Sequence, residues 1–248
     1  MEYKAEVIKK SILLFLAVLV FSSGTAGGYD KIEVESWLRQ AETTLARTES
    51  YTATFYKQEK IQGKLTDEET IFLKFKKPFK VYMKWTKEPY KGRESLYVDG
   101  CNDNLVKVRE CGLAGIMTVN LDPKGSLIMK GSRHPVTDSG IENIVKLIKG
   151  NLEKGLKAHE INLKEQGEEK IYGRTTKRIE VIFPKSKAKG YYCYRALINL
   201  DAETKLPVRV QIYDWDDTLL ESYGYEAIKL NAGLTEADFD PTNSEYRF

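Results

Sequence analysis

From Tyr51 onward the chain alternates apolar and polar positions. Tyr51, Ala53 and Phe55 alternate with Thr52, Thr54 and Tyr56. Ile71, Leu73 and Phe75 alternate with Thr70, Phe72 and Lys74, and Val81, Met83 and Trp85 with Lys80, Tyr82 and Lys84. A period of two predicts antiparallel strands with one covered face and one wet face. Pro78 cannot donate to a ladder, so 77–79 reads as the connection between two strands. Within KFKKPFKVYMKW this places Phe75, Val81, Met83 and Trp85 inside and most of the lysines outside. Further strands are expected at 94–99, 104–110, more weakly 115–122, and then 159–167, 174–183, 191–200, 206–214 and 218–229. Turn formers punctuate them, among them DGCND and the aspartate-rich 214–217.

Two segments carry a helical period instead. In 29–49, Ile32, Leu38, Ala41 and Leu45 recur at three- and four-residue spacing beside Trp37, with Asp30 as N-cap. In 137–157, Ile141, Ile144, Val145, Ile148, Leu152 and Leu156 form one stripe, capped near Asp138 or Ser139 and loosened at Gly150 and Gly155. The tail 234–248 reads as one short helical turn and an irregular end. There is no internal repeat and no long Pro/Gly linker. So many strands in one sheet must curl. The expected fold class is mainly β (α+β): a curled antiparallel sheet forming a half-open barrel, covered by an N-terminal helix and a central helix. Fifteen tyrosines and nine phenylalanines fit this strand-rich reading.

The N-terminus adds a compartment. Lys4, Lys9 and Lys10 precede an apolar run at 12–21, followed by the small residues SSGTAGG. This is the layout of a signal peptide, and the run is shorter than the roughly 18 residues of a membrane span. The expectation is a signal peptide at 1–26, a single domain at 27–248 and a periplasmic location; an uncleaved anchor is the alternative. No cysteine follows the apolar run until Cys101, so the chain does not read as a lipoprotein itself. Export lets cysteines pair. Cys101 and Cys111 flank one short segment and are the natural local pair, but three pairings exist with Cys193, and all three thiols could stay reduced. No CxxC is present, which argues against a thiol–disulfide enzyme.

Charge is high but balanced, with 39 basic against 36 acidic residues. A net charge of +3 does not mark a nucleic-acid binder. The lysines and aromatics around 74–93 resemble a single-strand binding face, yet on the period-two reading they point to opposite faces, and no nucleic-acid partner is expected. Anionic lipid headgroups are the functional reading of that basic face. Catalytic signals are sparse. Neither His134 nor His159 sits in HExxH, and there is no GxSxG, phosphate loop or dinucleotide fingerprint. Asp214, Asp216 and Asp217 could hold a divalent cation but read more simply as a hairpin turn. No catalytic residue, metal or cofactor is assigned, and a monomer is expected.

One family resemblance bears on the concave face. Phe55-x-x-Gln58, then Gly63, a strand ending in basic-Pro at 77–78, a strand closing on Trp85 and the turn Val98-Asp99-Gly100 together resemble the opening half of the periplasmic outer-membrane lipoprotein carrier and sorting family. The ending LTEADFDPTNSEYRF is similar to that of the bacterial domain of unknown function 1571. The resemblance implies a half-closed barrel whose helices lid an apolar cavity for acyl chains. Its lining would come from Phe55, Leu73, Phe75, Val81, Met83 and Trp85 of the sheet and Ile144 and Ile148 of the central helix. Lys77 would contact a headgroup or the lid. It stands where the carriers usually have arginine, and lysine lacks arginine's planar fork. Fold and ligand class therefore carry over, but not delivery of lipoproteins to a receptor. The expected role is non-enzymatic binding of a lipid or lipidated protein; the alternative is an envelope sensor or scaffold that binds a protein partner through the same sheet. The same inward side chains would also serve a filled core with no ligand.

Overall fold

Two long alternating runs, β1 (Ser50–Ile61) and β12 (Leu219–Leu230), lie side by side and form the spine of one antiparallel sheet. The structure, a computed structural model, describes residues 31–112, 115 and 117–248. The expected signal peptide at 1–26 and the Asp30 cap lie outside the described residues. After α1 (Lys31–Ala46) and β1, the chain forms β2 (Lys64–Leu65), β3 (Glu69–Lys76), β4 (Lys80–Trp85), β5 (Glu94–Val98), β6 (Val106–Arg109) and β7 (Thr118–Leu121). A short helix, α2 (Ser126–Met129), and a long one, α3 (Ile141–Ala158), follow. The second run of strands is β8 (Asn162–Ile171), β9 (Arg174–Ile182), β10 (Arg195–Asp201), β11 (Pro207–Tyr213) and β12.

The strand order is β7-β6-β5-β4-β3-β1-β12-β11-β10-β9-β8, with β2 paired to β1. The ends β7 and β8 do not meet, so the sheet is an open half-barrel. Irregular registers in β1/β12, β8/β9, β10/β11 and β11/β12 add local twist and bend. The two long helices and the strands other than β2 follow the patterns in the sequence, with boundaries shifted by a few residues; β2 and α2 are not expected from those patterns, and α3 is capped by Gly140 rather than by Asp138 or Ser139.

The concave face holds two apolar clusters. One gathers Phe55, Ile71, Leu73, Phe75, Val81, Met83, Trp85 and Val106 from β1 and β3–β6. The other gathers Val34, Trp37 and Leu38 of α1 with Val181, Ile198, Val210 and Ile212 of β9–β11. α3 bridges them: Ile141 and Val145 belong to the first cluster, Ile148 and Leu152 to the second. Its start is pinned at Gly140, whose φ of +106° suits glycine and where a Cβ would meet the Tyr51 hydroxyl and the Phe75 ring. Tyr51 accepts a hydrogen bond from the Ile141 N–H at 2.9 Å. α3 runs unbroken through Gly150 and Gly155. Gly155 is a close-approach position rather than a loosened one, because a Cβ there would stand 2.3 Å from Ile161. His159 closes the helix in the left-handed conformation.

The convex face departs from the expectation of a wet, lysine-studded surface. Across β4 and β5 it is covered by the C-terminal tail. Tyr82 stacks on Tyr246 with centroids 4.0 Å apart and is 1% exposed, while Leu96 and Phe239 are buried beside it. Lys74 is buried too and pairs with Asp238 at 2.9 Å. Glu94 is fully buried and accepts from the Arg247 N–H at 3.0 Å. Lys76 donates to the Leu234 carbonyl at 2.6 Å, and Lys80 pairs with Glu236.

The three cysteines are free thiols. The β5/β6 register explains why Cys101 and Cys111 do not pair. Cys101 follows β5 at the turn, whereas Cys111 lies beyond Arg109, which opposes Glu94 at the other end of the hairpin. At roughly 3.3 Å per residue the intervening strand separates them by on the order of 13 Å, against a disulfide Cα separation of at most about 7 Å.

Candidate functional site

A cavity of about 820 Å³ lies between the concave face, α3 and the segment 127–140. That is within the roughly 300–1,000 Å³ typical of small-molecule sites. The period-two pattern builds one wall from Phe55 of β1, Ile71 of β3, Met83 and Trp85 of β4, and Val106 and Val108 of β6. The other half of the sheet supplies Val181, Ala196, Ile198, Val210 and Ile212. Ile144, Ile148 and Leu152 of α3 form the roof. The cavity thus separates the two apolar clusters. Where it meets solvent, Leu127 and Leu147 are exposed at 75% and 37%.

Five of the expected lining residues therefore stand on this wall: Phe55, Met83, Trp85, Ile144 and Ile148. Leu73, Phe75 and Val81 face the same side of the sheet but are packed outside the cavity. The β3/β4 register shows the reason. Ile71 opposes Trp85, Leu73 opposes Met83, and Phe75 opposes Val81 at the turn end. There Phe75 stacks on Tyr51, meets Phe79 edge-on and lies under Gly140. Lys77 is also remote from the cavity. Its ammonium donates to the Leu45 carbonyl at 2.7 Å, tying the β3–β4 turn to the C-terminal end of α1.

One end of the cavity is polar, and it arises where the inward alternation continues into charged residues. Beyond Phe55, the inward positions of β1 are Lys57 and Glu59; on β12, Tyr225 is followed inward by Tyr223 and Glu221. Glu59 and Glu221 are directly opposed across the strands, and both are essentially unexposed. Two buried carboxylates facing each other repel. The segment 132–134 inserts donors between them. The Arg133 N–H donates to Glu59 at 2.8 Å and its Nε to Glu221 Oε1 at 2.5 Å. Ser132 Oγ donates to Glu59 at 3.3 Å, and Tyr223 donates to Glu59 at 2.6 Å. Tyr192 donates to Glu221 Oε1 at 2.6 Å, and His134 Nε2 lies 2.8 Å from the Tyr192 oxygen and 3.3 Å from Glu221 Oε1. Lys57 bridges Glu59 and Glu69 at 3.4 and 3.3 Å, and Trp85 donates to Glu69 at 2.5 Å.

These contacts set the protonation states. Burial pushes the Glu221 carboxyl up, but hydrogen bonds from His134, Tyr192 and Arg133 outweigh it and hold the group below the usual range. The hydrogen bond to Glu221 raises His134 against the pull of burial. Burial first, and Glu221 next, push the Tyr192 and Tyr223 hydroxyls well above their ordinary value, so both stay protonated. Burial pushes the Cys193 thiol on the same wall up to about 12, which leaves it unreactive. Asp214 is engaged locally, by Thr218, Asp216 N–H and Lys60. Among the described residues no cluster of three or more His, Cys, Asp or Glu could hold a metal ion.

Several solved structures are similar to this chain. LppX, a lipoprotein of Mycobacterium tuberculosis, is 16% identical, with 85% of this chain and 100% of that chain covered at a TM-score of 0.50. The Pseudomonas aeruginosa MucA/MucB complex contains a chain that is 17% identical at a TM-score of 0.45; 84% of this chain is covered, and it spans 60% of the length of that one. A LolA superfamily protein from Nitrosomonas europaea is 10% identical, with 83% and 96% covered at a TM-score of 0.35. No curated protein matches the chain. A family model described as "protein of unknown function (DUF1571)" matches residues 48–248, which take in every strand of the sheet, the α3 roof and the covering tail, and the chain belongs to that family.

Proposed function

We propose that this chain is a non-enzymatic binding protein, exported to the periplasm, that holds the aliphatic chain of a lipid or lipidated partner in its concave cavity. The observation that carries the reading is the hollow itself: about 820 Å³ of largely apolar space between two separately packed clusters. A core that only stabilised the fold would fill this volume, because interiors pack densely and voids cost stability. Burying an acyl chain contributes about 0.8 kcal/mol per CH₂, so a ten-carbon chain gains on the order of 8 kcal/mol before ordering costs. Native mass spectrometry of protein purified from the periplasm, before and after delipidation, tests the reading. Co-purifying lipid, and rebinding seen as a change in Trp85 fluorescence, is the expected result. Protein that carries no lipid and does not respond to acyl compounds contradicts it.

A second reading, a sensor or scaffold for a protein partner, is favoured by apolar side chains at the β7 edge. Met117 is 69% exposed and Val119, two residues on, 38%. Capture of one stoichiometric protein, unaffected by delipidation, would select this reading.

A further inference from the structure

The polar end of the cavity is more specific than an acyl sleeve requires. Glu221 lines the cavity and is fully buried. Its Oε1 takes all three donors, Arg133, His134 and Tyr192. Its Oε2 is buried and has no hydrogen-bond partner among the described residues. An orphaned carboxylate oxygen is costly, and more so in a low-dielectric hollow.

The surrounding charges say what would satisfy it. Glu59, Glu69 and Glu221 are three carboxylates at this end. Lys57, shared by Glu59 and Glu69, and Arg133, held by Glu221, supply two cations. These five groups sum formally to one negative charge, and the half-exposed Asp138, 3.9 Å from His134 Nδ1, adds another, so the end stays net negative even with His134 protonated. The remaining cavity-lining cations, Arg93 and the rim residue Lys146, are paired with Glu110 at 2.8 Å and Glu142 at 3.5 Å. An anionic head group would find these cations engaged and would face carboxylates. A head group with hydrogens to give would find an acceptor in Glu221 Oε2 once the side chains that now cover this oxygen make way for it.

We propose that the cavity selects amphiphiles whose head group is a hydrogen-bond donor, a hydroxyl or a primary ammonium, which Glu221 Oε2 receives while the aliphatic chain runs along the wall formed by Phe55, Met83 and Ile198. This rests on the chain-binding reading above and adds the class of head group. An ammonium is the stronger partner, because a hydrogen bond between charged groups in a buried site exceeds a neutral one.

The test uses three ten-carbon probes that differ only at the head: decylamine, decanol and decanoate. The decylamine and decanoate are titrated below their micellar concentrations and the decanol below its solubility limit, with binding followed by tryptophan fluorescence and calorimetry. The wild-type protein is expected to bind decylamine and decanol at least tenfold more tightly than decanoate. Glu221→Gln, which keeps the shape and removes the charge, is expected to narrow the decylamine-to-decanoate ratio to within about threefold. The wild-type ranking needs no variant, so the proposal can be tested even if Glu221→Gln fails to fold. Decanoate binding as tightly as the other two, or more tightly, overturns the head-group assignment and leaves chain binding standing. Binding of none of the three overturns both.

Discussion

The two faces of β3–β5 contrast sharply, although both are written in the same alternating residues. On the convex side, Tyr82 and Leu96 are buried under Phe239, Tyr246 and Phe248. On the concave side, Met83, Trp85 and Ile71 border open space. One face is closed by the chain's own tail, while the other is roofed by α3 at a distance. The tail contributes aromatic rings that reach the sheet. The stripe of α3 is aliphatic and rests on both clusters, through Ile141 and Val145 on the first and Ile148 and Leu152 on the second. A filled face works for stability, and a hollow one leaves room for something else.

The contrast predicts that mutations on the two faces separate stability from binding. The largest effect should come from the filled face. Phe239→Ala is expected to lower folding stability by about 3–5 kcal/mol, as for other buried phenylalanines. Denaturant melts would show this, and the folded fraction should still take up decanol with unchanged affinity. Next come two enlargements of alanine on the concave side. Ala53→Leu, in the packed part of the first cluster, should cost about 1–3 kcal/mol by overpacking. Ala196→Phe, on the cavity wall, should cost less than about 1 kcal/mol and weaken chain binding at least tenfold, because the ring occupies the hollow. Equal stability losses at the two sites would mean that the cavity is closed in solution.

A smaller effect concerns the roof. A Cβ at Gly150 meets nothing, so Gly150→Ala should stabilise α3 by up to about 1 kcal/mol. Gly155→Ala should destabilise it through the clash with Ile161. Thermal melts of the two variants should therefore move in opposite directions.

The smallest effect is in pH. His134 faces Glu221 of β12, Glu59 of β1, Tyr192 ahead of β10, Tyr223, and its neighbours Arg133 and Asp138. Its folded-state pKa lies above its unfolded value of about 6.5. Its proton therefore stabilises the fold fully below that value, and the contribution is lost as pH rises through the folded pKa. Glu221 is depressed, so its contribution is present above its unfolded pKa and is lost as pH falls through the folded one. The melting-temperature gap between wild type and His134→Asn should thus be wider at pH 6 than at pH 8. A gap independent of pH would remove His134 from the cluster's electrostatics.

These faces were unequally legible in the sequence. Alternation identified the inward side of β1, β3 and β4 because burial follows the period of two. It could not tell Met83 and Trp85 from Val81, or Ile71 from Phe75, because depth along a strand depends on where α3 lands. That in turn depends on Gly140 and Tyr51, 89 positions apart in the chain. The tail's aromatic residues gave no periodic signal, so their docking on Tyr82 was invisible. The polar end did leave a trace. Lys57 and Glu59 continue the inward phase of Phe55, and Glu221 shares the phase of Tyr223 and Tyr225. Charged residues at core-phase positions mark places where the pattern serves something other than packing.

The most direct test of the hollow is a methyl NMR experiment with a uniformly ¹³C-labelled decanol chain bound to the full protein. Cross-peaks from mid-chain methylenes to the Met83 ε-methyl and the Ile148 and Ile198 δ-methyls, and none to Leu73 or Val81, are the predicted result. Contacts confined to exposed Leu127 and Met117, with silent methyls inside, would contradict it and place the chain on the surface.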